Sequence, residues 1–289
     1  MSTLNLVIEY TQAALFRLPE PTQQFLRNPT AQKAIGVLTA SGIGKQVMED
    51  LARTGVRVII LDINEPNFEP PTNVTFYKAN ITSSADIAQV ASTIRENHGE
   101  PTVLINNAGV GHDGTILNEP EEKIRQTFEV NTLSHFLMVK EFLPAMVKAN
   151  HGHVITIASM ASFVALGEMV DYCCSKASAL AFHEGLRQEL KYWYNAPNVR
   201  TSIIHPMWVR TPMIKMLTDN EAHFSQPIMT PPGRVWGYLG QIILPTSQSV
   251  ASLVRAMPTW MQEGVRTLAS GALKKMRIAQ QAEEKAHAQ

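Results

Sequence analysis

The stretch "DYCCSK" (171–176) places a phenol, Tyr172, four residues ahead of an ammonium, Lys176. On a helix, residues four apart share a face. A free tyrosine ionises near about 10. A fixed cation beside it, with a nicotinamide cation nearby, would stabilise the phenolate and move that value toward neutrality, so the phenol could then give and take protons. A helix with an exposed Lys and a half-buried Tyr meets the same spacing without any chemistry, so the neighbours decide. Cys173 and Cys174 fall to the sides of that face and read as small packing residues. Ser159 ends the apolar run "HVITIAS", 13 residues before Tyr172. A loop and a helix start could bring its hydroxyl back to the phenol.

Short runs rich in Val and Ile recur at 57–63, 102–109, 153–159 and 199–206. Between them lie segments with apolar spacing of three and four, at 45–54, 84–97, 121–148 and 172–194. Strands alternating with helices predict an α/β fold, a doubly wound parallel sheet covered on both faces. Ligands of such sheets sit at the carboxyl ends of the strands. Three regions are expected: a mixed, amphipathic leader over 1–34, a Rossmann-type catalytic domain over 35–245, and a helical extension over 246–289. The extension carries Leu, Met and Trp on one side, suited to packing on the domain or a partner subunit, or to lying on a membrane surface.

The composition narrows the function. Twenty-five Lys and Arg balance 25 Asp and Glu, which argues against a bulk nucleic-acid binder. The two cysteines are sequence neighbours with no C-x-x-C spacing, which suits a reducing compartment and predicts no metal site. The first residues lack a basic start followed by an apolar run, and no stretch reaches the length of a membrane span. The expectation is an intracellular protein, cytoplasmic or attached to a surface.

A second constellation concerns a cofactor. Gly42 and Gly44 in "SGIGKQVMEDLARTG" (41–55) precede an amphipathic helix, and Asp62 ends a strand about 18 residues on. Glycines let a pyrophosphate approach the backbone, and the helix start offers free N–H groups. The Asp can hold ribose hydroxyls and repels a 2′-phosphate, favouring NAD over NADP, although Arg53 and Arg57 keep NADP open. Asn107 in "INNAG" (105–109) could shape a floor beneath the cofactor or mark a plain turn. Other residues have blander readings: His151 and His153 flank a turn Gly, His205 ends a strand before Pro206, and Trp208, Met213, Met216 and Leu217 line a pocket or face inward on a short helix.

Taken in order, Gly42/Gly44, Asp62, "NNAG", Asn131, Ser159, Tyr172/Lys176 and "HPMWVRT" (205–211) resemble the short-chain dehydrogenase/reductase family over residues 35–245. They look most like its branch of retinol and 17β-hydroxysteroid dehydrogenases. The resemblance implies an NAD(P)-dependent oxidoreductase interconverting an alcohol and a carbonyl on a lipophilic substrate such as a retinoid, steroid or fatty alcohol, or on a secondary metabolite. It makes Tyr172 the general acid/base and Lys176 the group that lowers its pKa and holds the nicotinamide ribose. Ser159 would bind the substrate oxygen and Asn131 a relay water. Ser41, Gly42, Ile43, Gly44, Asp62, Asn80, Asn107, Ala108, Gly109, Val209 and Thr211 would contact NAD or NADP. The branch often meets membranes, endoplasmic reticulum or lipid droplets, and the family often forms homo-oligomers through the Tyr–Lys helix.

The chain departs from that pattern in three places. Leu38 replaces the first glycine of T-G-x-x-x-G-x-G and Val37 its threonine, leaving "KAIGVLTA" (33–40) a poor first strand. Met207 follows Pro206 where the family has Gly. Few residues separate Pro227 from the strand-like "QIILP" (241–245). Two short segments, near 33–41 and 228–240, then count as missing, with the first strand and phosphate loop incomplete. The rival expectation is a non-catalytic Rossmann-type protein with impaired cofactor binding.

Overall fold

A computed structural model describes residues 33–37, 42–221, 224, 226, 228–229, 240–244, 254 and 257–287. The leader up to residue 32 and Ser41 lie outside the described residues. Among the described residues, seven strands form one parallel sheet in the order β3-β2-β1-β4-β5-β6-β7. They are β1 (Lys33–Val37), β2 (Arg57–Asp62), β3 (Val74–Lys78), β4 (Val103–Asn106), β5 (Gly152–Ile157), β6 (Val199–Pro206) and β7 (Gly240–Leu244).

The helices are α1 (Gly42–Arg53), α2 (Ser84–His98), α3 (Glu121–Phe128), α4 (Ser134–Ala149), α5 (Val170–Tyr192), α6 (Lys215–Asp219) and α7 (Thr259–His287). The expected doubly wound α/β fold is present. Its strand order reverses beside β1, where such sheets open a ligand crevice.

Alternation along the strands explains the layers. On β2, Ile59 and Leu61 join a core with Ile87 and Ile94 of α2, Phe142 of α4 and Leu186 of α5. Val58 and Ile60 face the other way, against Val47, Met48 and Leu51 of α1. Both sheet faces are therefore covered, which is why the strands read as continuous apolar runs.

The stretch expected to make a poor first strand fills the centre of the sheet. Ile35 is in register with Ile59 of β2 and Leu104 of β4. Neighbours on both sides can impose extended structure that local sequence signals only weakly. The strand begins at Lys33, two residues before the expected domain start. At the other edge, Gly240–Leu244 pairs with β6 as the strand foreseen in "QIILP". Among the described residues no helix is long and apolar enough to cross a membrane.

Candidate active site

Tyr172 lies in the first turn of α5, at the carboxyl end of the sheet. One turn on, Lys176 is 3% exposed, and its Nζ donates to the Ile157 carbonyl at the end of β5, 3.0 Å away. That nitrogen stands 5.7 Å from the centre of the phenol ring. The Ser159 hydroxyl hydrogen-bonds the phenol and also accepts the Ala161 N–H at 3.1 Å, starting a turn of 3₁₀ helix. That turn is tied back to α5 where Ser162 Oγ donates to the Lys176 carbonyl at 2.8 Å. Cys173 is buried and Cys174 exposed.

Burial dominates the electrostatics of the pair. Burial pushes Tyr172 up to about 12, against the opposing pull of the Ser159 bond. Burial also pushes Lys176 down to about 8. Desolvation disfavours both charged forms, and the ammonium is bonded to a backbone carbonyl. In the protein alone, the Tyr–Lys pair does not bring the phenol toward neutrality.

Asn131 sits in a π-helical turn, Glu129–Leu133, between α3 and α4, where the sequence read as one unbroken helix. Such turns often mark functional sites. Its side chain is fully buried, accepts the Val110 N–H at 2.8 Å, and donates to the Val110 carbonyl at 2.8 Å and to Ser175 Oγ at 3.0 Å. Ser175 Oγ in turn donates to the Tyr172 carbonyl at 2.7 Å. Both amide hydrogens are thus engaged by protein, and Asn131 braces the loop after β4 against the Tyr172 helix. Ser162 and Ser175 were not foreseen, although Ser175 lies inside the motif itself. Gly111 was also missed: a Cβ there would stand 3.2 Å from the Tyr172 ring.

Opposite the phenol, α1 begins at Gly42, whose φ of +58° favours glycine. A Cβ there would approach Thr211 Cγ2 to 2.9 Å. Val209 is buried and bridges to Met229, which fixes the segment after β6. Gly42, Ile43, Asn107, Gly109, Ser159, Tyr172, Lys176, Val209 and Thr211 border one cavity of about 930 Å³. Gly42 borders the cavity at the start of α1, and the free N–H groups of a helix start suit a dinucleotide phosphate. Gly44, Asp62, Asn80, Ala108 and Asn131 are not on the wall. Gly44 faces the core side of α1. Asp62 ends β2 and accepts the Asn64 N–H at 3.0 Å. Asn80 is exposed after β3 and accepts from Thr82. Ala108 is buried beneath the wall.

The cavity roof is apolar. Leu273 and Met276 of α7 pack with Leu217 of α6 and Phe224, and Trp208, Met216, Leu166 and Met169 join them. Trp208, Met213, Met216 and Leu217 all border the cavity, and of these only Met216 and Leu217 lie on the short helix α6. Arg277 of α7 ties the roof to both active-site loops, through Asp113 after β4 and through Glu168 at 3.5 Å before α5.

Residues 33–222 match the short chain dehydrogenase family, and the chain belongs to it. It is 52% identical over 130 residues to Dehydrogenase RED3 of Cochliobolus heterostrophus, covering 45% of this chain and 66% of that one. It is 33% identical over 187 residues to estradiol 17-beta-dehydrogenase 11 of Rattus norvegicus, covering 62% of each. The chain thus spans about two thirds or less of those relatives' length. Among solved structures, a 3-ketoacyl-(acyl-carrier-protein) reductase from Brucella melitensis complexed with NADH aligns with a TM-score of 0.63 at 18% identity. That alignment covers 73% of this chain and 96% of that one, a likeness of fold.

Proposed function

We propose that this protein is an NAD(P)-dependent oxidoreductase that interconverts an alcohol and a carbonyl on a neutral, lipophilic substrate. The observation that carries the reading is the convergence of Ser159, Tyr172 and Lys176 on one cavity wall, facing the Gly42 helix start. When bound, the dinucleotide supplies or accepts the hydride. Tyr172 gives or takes the proton of the substrate oxygen, and Ser159 holds that oxygen. Lys176, already costly to charge, favours the phenolate only as its own proton is kept. Asn131 and Ser175 hold the phenol's helix to the loop after β4.

Asp62 supports NAD. It stands at the carboxyl end of β2, whereas Arg57 begins the same strand and Arg53 ends α1, paired with Asp50 at 2.7 Å. A six-residue strand separates its ends by about 16 Å, so neither arginine is placed beside a ribose phosphate at Asp62. The Met and Leu lining supports a retinoid-, steroid- or fatty-alcohol-like body. By family likeness, the protein meets the endoplasmic reticulum or a lipid droplet peripherally and acts as a homo-oligomer.

Leu38 in place of the first motif glycine favours the second reading, a Rossmann-type protein that binds dinucleotide poorly. Titration with NADH and NADPH, followed by nicotinamide fluorescence, separates the two. The oxidoreductase binds, NADH the tighter; the alternative binds neither. With a retinoid or steroid alcohol, Tyr172→Phe should lower turnover by about 10³-fold while leaving NADH affinity unchanged. Full turnover by that variant would remove the phenol from the mechanism.

A further inference from the structure

His205 enters the sequence only as the residue before Pro206. In the fold its side chain is fully buried on β6, and Nδ1 lies 3.0 Å from the Ser159 carbonyl oxygen. A carbonyl only accepts, so Nδ1 carries the hydrogen. The ring also rests against Phe163, with centroids 4.6 Å apart. His205 therefore touches both ends of the short turn that presents Ser159: its first residue through the carbonyl, and the residue closing the 3₁₀ helix through the ring.

Met160 and Phe163 also pack the turn against Leu180 of α5, Val164 and Met207, but apolar packing leaves the direction of the Ser159 backbone to its polar ties. Ser159 is extended, with φ −165° and ψ 160°, and its hydroxyl is shared between the Ala161 N–H and the phenol. A hydroxyl so shared takes its direction from the backbone that carries it. That backbone is held from one side by Ser162 Oγ on the Lys176 carbonyl and from the other by His205. Strand β6 is itself fixed between β5 and β7, so His205 is anchored on a rigid element, and a site held by rigid elements keeps its geometry. Burial pushes the imidazole down to about 4, with the Ser159 bond opposing and Lys176 adding to the fall. The ring therefore stays neutral, a single donor, at ordinary pH.

We propose that His205 is a positioning residue: its Nδ1–H, bonded to the Ser159 carbonyl, holds the Ser159 hydroxyl at the phenol of Tyr172. The proposal rests on the oxidoreductase reading. Misplacing a group that binds the reacting oxygen costs turnover more than cofactor affinity. His205→Phe keeps the ring stack on Phe163 and removes the donor. His205→Asn restores an N–H at the same distance from Cβ.

The test has two arms, both on the full chain. In the first, ¹⁵N-histidine NMR of the protein alone reads the tautomer, the His205 signal being the one lost in His205→Phe. An Nδ1–H tautomer that stays neutral through pH 6 is expected, and an Nε2–H tautomer would overturn the bond. In the second arm, kcat with a lipophilic alcohol should fall about tenfold or more in His205→Phe, with NADH affinity and melting temperature near wild type, and recover in His205→Asn. Wild-type kcat in His205→Phe, or no recovery in His205→Asn, would overturn the positioning role. Failure of wild-type protein to bind NADH would instead sink the parent reading, and the tautomer would still decide the bond.

Discussion

The floor and the roof of the cavity are built by opposite means. The floor is polar and buried. Asn131, Ser175, Ser162 and Lys176 link the loop after β4, the end of β5 and the helix α5 through hydrogen bonds of 2.7 to 3.0 Å. The roof is apolar, Leu273 and Met276 of α7 against Leu217 and Phe224, with its charged ties at the rim. Buried polar networks permit one geometry, because a donor left without a partner there is costly. Apolar contacts tolerate exchange of shape at similar volume. On the proposed reading, the floor is where atoms must be placed for chemistry, and the roof is where substrate range can vary without disturbing it.

The sharpest way to break the contrast is at Lys176, where the floor carries a cost. Its ordinary value is 10.5 and burial brings it to about 8. Between those values the unfolded chain keeps a proton that the folded chain has lost. Stability therefore rises as pH climbs from about 8 to about 10.5, and below about 8 the whole penalty stands. A gap of that size is worth about 3 kcal/mol. Lys176→Met removes it and loses one hydrogen bond to the Ile157 carbonyl, worth about 1 kcal/mol. The variant should be inactive yet more stable than wild type by about 2 kcal/mol at pH 7, by urea denaturation, with the gain largely gone at pH 10. An equal gain at both pH values would mean that packing, and not the buried charge, accounts for it.

Gly42 gives the next largest effect. An alanine there meets both a positive φ and the Thr211 methyl at 2.9 Å, so the start of α1 must shift. Strain of about 1–2 kcal/mol follows, with a loss of NADH affinity of about tenfold by fluorescence titration. Gly55 is the control. Its φ is +80°, but a Cβ there meets nothing within 4 Å. Gly55→Ala should cost similar stability and leave NADH affinity intact. Equal loss of affinity in both variants would deny Gly42 a local role at the cavity.

The same division explains what the sequence disclosed. The trio proposed for catalysis was legible because Tyr172 and Lys176 lie one helical turn apart and Ser159 ends an apolar strand. Strands β2, β4, β5 and β6 were legible because a strand covered on both faces reads as an unbroken Val/Ile run. Strand β1 was nearly lost, because "KAIGV" has little local signal and is extended through its partners β2 and β4. The π-turn at Asn131 was invisible, since one extra residue in a helix leaves no periodic mark. The Asn131–Val110 brace joins residues 21 apart, and the His205–Ser159 bond residues 46 apart; only the folded sheet sets those distances. The burial that raises Tyr172 was not legible for a related reason. Spacing shows which charge is near, but not how much water has been removed.

Arg277 should give the smallest effect and so sharpen the comparison from the other side. It links α7 to Asp113 and Glu168, and the Asp113 side chain is 55% exposed. Ion pairs so open to solvent contribute about 0.2–1 kcal/mol and weaken with salt. Arg277→Ala should leave kcat and NADH affinity unchanged, because no floor contact is touched. It should raise KM for a lipophilic alcohol by about two- to fivefold, as α7 settles less firmly over the cavity. High salt should move wild-type KM toward that of the variant and leave the variant itself unmoved. A fall in kcat would instead mean that the roof, through the Asp113 and Glu168 loops, reaches the floor, and that the two halves of the cavity act as one.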